Sequence, residues 1–257
     1  MIGISISIGE VTRFALALIF LALIIFLSRL QKLELEKDIF FSFLRAMVQV
    51  FILGLMIFFI FSLMGFYILL LLLGMVVVAA HIASRRSVKI LHLKSFWVSL
   101  VSISFSSFFV LGFSLLLGIL DPSASFIIPL GGMVIGNSML RCGIAYERLG
   151  AEIKRNRDVI ETYLSLGANW REASEVFIKN SRRASLLPSL DNLRASGVVW
   201  IPGLMAGMIL AGANPIWAAE IQIVIFLMLF STAMLTVLMA TELLSKAFFN
   251  EREQLVI

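Results

Sequence analysis

Charge is scarce in this chain. Sixteen acidic and 21 basic residues make up 14% of 257, while 60% of the chain is hydrophobic. Soluble domains carry about 25% charged and roughly 45–50% apolar residues, so the shortage excludes an ordinary water-soluble fold. Cysteine occurs once, at Cys142, which excludes an intrachain disulfide and any CxxC metal or redox pair. No GxxxxGK[ST] segment is present, so the chain cannot cradle nucleotide phosphates by that route. There is no repeat of fixed period and no low-complexity tract. The first residues lack the basic region of a cleavable signal, because Glu10 and Arg13 precede the first apolar run.

What the chain does have is long apolar runs. Crossing ~30 Å of hydrocarbon takes about 20 mostly apolar residues in a helix. On that basis the sequence predicts an all-α polytopic bundle of seven spans, at 12–28, 40–62, 66–83, 96–119, 125–146, 198–212 and 216–243. Gly65 marks a tight turn that divides the long run from Phe40 to Ala83. Span 198–212 is the shortest, and a re-entrant hairpin is its alternative. The whole chain, 1–257, reads as one transmembrane domain that includes a polar segment at 147–197.

The loops agree with this count. Basic residues cluster at 29–45 (four), 84–95 (four), 147–197 (nine) and the C-terminal tail (two), leaving only Arg13 and Arg141 elsewhere. Alternate loops that hold nearly all Lys and Arg are the cytoplasmic ones of a multi-pass protein. The expected topology has the N-terminus outside and the C-terminus in the cytoplasm, in a bacterial inner membrane. The net charge of +5 therefore orients the chain in the bilayer and does not imply nucleic acid.

Segment 147–197 is too short for an enzymatic domain. Leu149, Ile153, Ile160 and Leu164 share a helical stripe, which predicts that the helix of span five continues to about Leu166. Gly167 ends it, and Asn169 and Glu172 are the residue types of a capping box. A second amphipathic helix follows from Trp170 to about Ser185. Trp170, Ala173, Ser174, Phe177, Ile178, Ser181 and Ala184 lie on its apolar face. By physics alone such a helix could lie on lipid, cover the base of the bundle or dock on a soluble partner.

"ETYLSLGANWREASEVF" (161–177) resembles the EAA loop of ATP-binding-cassette permeases, in which a Glu precedes a Leu-Gly-Ala turn and a short helix. Glu161 and Leu166-Gly167-Ala168 match that pattern, whereas Thr162-Tyr163 replace its Ala-Ala pair. "LEKDIFFSFLRAMVQVFILG" (35–54), "GGMVIGNSM" (131–139), "WIPGLMAGMILAGANPIWAAEIQIV" (200–224) and "FSTAMLT" (230–236) extend the likeness along nearly the whole chain. Together they resemble the FetB family of permeases, which pair with a separate ATPase, FetA, and are described as iron exporters. Plant relatives are linked to aluminium tolerance. The resemblance implies a permease homodimer in a two-plus-two complex, with ATP and Mg on the partner ATPase and no cofactor on this chain. It implies ATPase coupling through Glu161, Leu166, Gly167, Ala168, Trp170 and Phe177.

Polar and small residues inside the spans are the candidates for the transport path or a dimer seam. Gly132 and Gly136 form a GxxxG, as do Gly203 and Gly207, and both read first as close-packing faces. Asn137 and Ser138 need buried partners, with Gln49, Gln222 or symmetry mates as candidates. Arg141 is expected to snorkel to the cytoplasmic boundary. Metal ligands do not emerge from spacing: His81 and Glu220 fall toward opposite ends of their spans. A secondary transporter or channel is the competing class, although it calls for deep carboxylates that are missing here. A sugar nucleotide is an alternative cargo. An intramembrane serine protease built on Ser138 lacks a base beside the serine.

Overall fold

The computed structural model describes residues 8–61, 65–88, 91–250 and 252–256. Among these the chain is helical, and it divides into two compact units, residues 1–62 and 63–257. The first unit is a hairpin of α1 (Ile8–Leu30) and α2 (Glu36–Phe61). Lys32 and Glu34 adopt positive φ in its turn, and the Ser28 hydroxyl donates to Glu36 Oε1 at 3.2 Å. Gln49 lies on α2 and is exposed within this unit.

The second unit contains α3 (Phe66–Ser84), α4 (His92–Leu116), α5 (Ala124–Arg155), α6 (Arg157–Ser165), α7 (Trp170–Ala195), α8 (Gly203–Leu210) and α9 (Pro215–Ser245). α5 is the central post and packs against α3, α4, α7 and α9. At 32 residues it runs to about 48 Å, longer than the hydrocarbon layer. α5 and α9 run in the same direction. Their first turns share a pocket with Asp121 and Trp217, and farther along the Asn137 amide donates to the Leu229 carbonyl at 2.7 Å. We call the end where α3 and α9 finish the basic end, since Arg85, Arg86, Lys94 and Lys246 gather there.

Five helical segments are long and apolar enough to cross a membrane: Glu36–Met56, Phe66–Ser84, His92–Leu116, Ala124–Arg155 and Pro215–Phe248. Leu16–Leu30 is apolar but shorter. The sixth span predicted at 198–212 is not a spanning helix. α8 has only eight residues, about 12 Å, and sits between Gly197 and Gly212, both at positive φ, with Pro202 as its N-cap. These breakers limit the helix although its residues are apolar.

Two further boundaries differ from the sequence pattern. The helix expected to run unbroken to Leu166 stops at Asn156, which leaves the helical region with φ −109° and donates from Nδ2 to the Glu152 carbonyl. α7 does not stop near Ser185 but continues through Pro188 to Ala195. Its buried side, with Ser174, Ile178, Ser181, Ser185 and Ser189, keeps helical spacing on both sides of the proline. A continuous packing face outweighs the hydrogen bond that one proline removes.

The interior is unusually rich in hydroxyls. Ser95, Ser99, Ser102 and Ser106 are fully buried on one face of α4. Several return their proton to the carbonyl one turn back, as Ser106 does to Ser102 at 2.8 Å. Ser106 also meets Thr236 of α9 at 2.5 Å, and Ser99 lies 2.9 Å from the Tyr146 hydroxyl of α5. Without water to solvate them, such groups need partners within the bundle, and Ser95, Ser99 and Ser106 have them, while the Ser102 hydroxyl is buried without one.

Candidate functional site

At the basic end, α6 and α7 meet in a sharp corner. Gly167 takes φ +93°, a conformation a side chain would strain, and this turns the chain after α6. Asn169 then caps α7. Its side chain accepts from the Glu172 amide at 3.0 Å, and the Glu172 carboxylate accepts from the Asn169 amide at 3.0 Å. The expected capping box is present with both bonds made.

The corner is tied to α9 by charge. The Glu242 carboxylate accepts from Arg171 and, at 2.6 Å, from Arg182 Nη2; Arg182 Nε donates to the Thr241 hydroxyl at 2.7 Å. One carboxylate thus holds two positions eleven residues apart on α7. The C-terminal tail adds a second tie. Glu253 accepts from the Trp170 amide at 3.2 Å, and the Trp170 ring lies 5.9 Å from that of Phe249. The tail is folded back on itself, with the Val256 amide donating to the Phe248 carbonyl at 2.9 Å.

Of the residues expected at the corner, Leu166 is 80% exposed, while Ala168, Trp170 and Phe177 are half-buried. Glu161 is held on α6 by Arg157 at 2.7 Å. With Leu166, the side chains of Val159, Tyr163 and Val176 leave an apolar surface at a place where the neighbouring residues are charged. Arg182, Thr241, Glu242 and Glu253 escaped the sequence reading, because their pairing joins segments separated by 59 to 83 residues. The serine column did carry a signal: serines at 95, 99, 102 and 106 keep the spacing of one helical face.

The residues proposed for a transport path lie on α2, α5, α8 and α9. The Asn137 side-chain amide donates to the Leu229 carbonyl of α9 at 2.7 Å. Ser138 is fully buried, 3.5 Å from Ser107. Gln222 is buried with its Oε1 unpartnered. Gly132 approaches Met75 of α3, whereas Gly136, Gly203 and Gly207 face open space. The tight approaches belong to two other glycines: a Cβ on Gly131 would lie 2.6 Å from Leu72, and one on Gly143 would lie 2.6 Å from Arg86. Arg141 is 7% exposed, with its Nε buried and unpartnered.

Among the described residues, no three or more of His, Cys, Asp and Glu come together as a metal site. At the end opposite the corner, a pocket of about 600 Å³ is lined by Asp121, Pro129, Met133, Met208 and Trp217 among others.

Residues 11–249 match the family described as "Uncharacterised protein family (UPF0014)". The chain is 37% identical over 244 residues to the "Probable iron export permease protein FetB" of Escherichia coli, covering 95% of this chain and 93% of that one. It is 33% identical to the "UPF0014 membrane protein YjkA" of Bacillus subtilis, over 94% and 96% of the two chains. It is also 33% identical to the "Protein ALUMINUM SENSITIVE 3" of Arabidopsis thaliana, over 94% and 88%. No solved structure matches the chain. With the apolar helices and near full-length similarity, the chain belongs to the UPF0014 family of multi-pass membrane proteins, which includes the FetB-type permeases.

Proposed function

We propose that this chain is the permease subunit of an ATP-driven exporter, that a separate ATPase docks on the α6–α7 corner, and that the cargo is iron. The observation that carries this reading is the corner itself. It presents exposed Val159, Tyr163, Leu166 and Val176 on a turn clamped to α9 through Glu242 and to the tail through Glu253. An apolar surface on a rigid turn outside the spans suits a groove on a soluble protein. The clamp gives any movement of that protein a direct mechanical connection to α5, α7 and α9.

The remaining assignments follow from this one. The basic end faces the cytoplasm, since Lys and Arg concentrate there. Two copies of the permease pair with two ATPase subunits, which bind ATP and Mg. The iron cargo is carried over from the Escherichia coli relative named as a probable iron export permease. The half-open glycines Gly132, Gly136, Gly203 and Gly207, with Gln49 and Gln222, belong to the path or the seam between copies.

The test is assembly followed by transport. Gly167→Pro forces φ near −65° where the chain needs +93°, and Trp170→Asp removes the ring packed on Phe249. Both variants are expected to insert in the membrane yet lose the ATPase on purification. Wild-type ATPase retention in both removes the docking assignment. Inverted vesicles carrying the reconstituted pair are expected to accumulate Fe(II) only with ATP, and ATP-independent uptake would point to a secondary transporter.

A further inference from the structure

Beside the corner lies a cavity of about 570 Å³, lined by Lys94, Trp170, Leu243, Lys246, Ala247, Phe249, Asn250 and Glu253. We propose that it binds the phosphate of an anionic phospholipid from the leaflet at the basic end, held between Lys94 and Lys246.

The argument begins with the polar groups that are already engaged. The Asn250 side chain is spent within the tail, accepting from the Arg252 and Gln254 amides and donating to Gln254 Oε1 at 2.9 Å. One oxygen of Glu253 accepts from the Trp170 amide. The two lysines, by contrast, make no ion pair and no side-chain hydrogen bond among the described residues. Two ammonium groups against one carboxylate leave the cavity with net positive charge.

Lys94 is also oddly placed. It lies in the first turn of α4, where the helix dipole disfavours a cation and favours an anion, and α4 has no side-chain N-cap. Lys246, at the end of α9, suits its own dipole. An anion between them would answer both lysines and the first turn of α4.

The surroundings point to a lipid. Leu93 and Trp97 of α4 and Leu243 of α9 are exposed, at 75%, 59% and 46%, and give an acyl chain an apolar surface next to the charged cavity. Trp97 and Trp170 are of the residue type that sits at headgroup depth. Basic pockets between membrane helices on that side accept anionic headgroups. The volume lies within the usual range for small-ligand sites. Because the cavity wall includes Trp170, Phe249 and Glu253, an occupied site would brace the start of α7. Lipid composition would then set how firmly the corner is held. The binding itself does not depend on any ATPase.

The experiment is native mass spectrometry on the purified full-length chain with defined lipids, dioleoylphosphatidylglycerol and dioleoylphosphatidylcholine. Wild type is expected to retain phosphatidylglycerol in preference to phosphatidylcholine. The pair Lys94→Gln with Lys246→Gln should weaken retention about 30-fold, on the usual contribution of two basic residues near an anionic surface. Lys94→Arg with Lys246→Arg should keep it, which separates a lost site from a misfolded chain. The exposed control pair Lys154→Gln with Lys179→Gln should leave it unchanged. Equal retention of the two lipids, wild-type retention in the double glutamine variant, or an equal loss in the control pair overturns the site. Displacement of the lipid by 10 mM (on the order of a cellular level) inorganic phosphate overturns the lipid as its source.

Discussion

The second unit keeps two polar zones, and they are built on opposite principles. In the hydroxyl column of α4, every group is small, neutral and fully buried, and most bonds return to the chain one turn back or cross to single hydroxyls of α5 and α9. At the α6–α7 corner the groups are charged and partly exposed, and they tie α7 to α9 and to the C-terminal tail. The first zone satisfies backbone and hydroxyl needs where water is absent, so its effect is stability. The second spends its charge to hold one apolar turn in the open, so its effect should be on a partner.

Charge reversal at the clamp separates the two zones most sharply. Glu242→Lys sets a cation against Arg171 and Arg182, and we expect ATP-dependent transport to fall by at least about tenfold while expression stays near wild type. Reconstituted transport compared with membrane yield checks this.

The column should behave oppositely. Ser106→Ala strands the Thr236 hydroxyl and is expected to cost about 1–2 kcal/mol, read as a lower melting temperature in detergent with transport per folded molecule unchanged. Adding Thr236→Val removes the stranded group and should restore much of the loss. No recovery in the double variant would mean that the hydroxyl pair is not what holds α4 to α9.

Smaller effects refine the comparison within the corner. Asn169→Ala removes the cap of α7 and should cost about 1 kcal/mol, seen as faster amide exchange in the first turn of α7 and nowhere in α4. Arg157→Ala breaks an exposed pair one turn apart on α6. It is expected to change stability by no more than ~0.5 kcal/mol, measured by the same melting assay.

Much of this was legible in the sequence, for identifiable reasons. Apolar run length and basic loops located the long helices, and short-range chemistry located the corner. Gly167 and the Asn169–Glu172 box are local signals that need no tertiary information. Span six failed because its apolar residues satisfy a hydropathy count, while Gly197, Pro202 and Gly212 limit the helix between them. The extension of α7 past Pro188 was hidden for the converse reason: a local breaker is overridden by a serine-lined face packed on α5 and α9. Asn137 shows the limit for buried polar groups. The sequence says that a partner is needed, but a main-chain carbonyl 92 residues away leaves no trace in residue type. Glu242 was invisible for the same reason, and it is the residue on which the coupling account most depends.

That account is tested most directly by site-specific photocrosslinking to the partner ATPase in intact membranes, with the probe placed at Leu166 and, as the opposite-end control, at Trp217. The account predicts an ATPase adduct from position 166, lost when Gly167→Pro is added, and none from position 217. An adduct from 217, or none from 166 while ATP-driven transport persists, would contradict it.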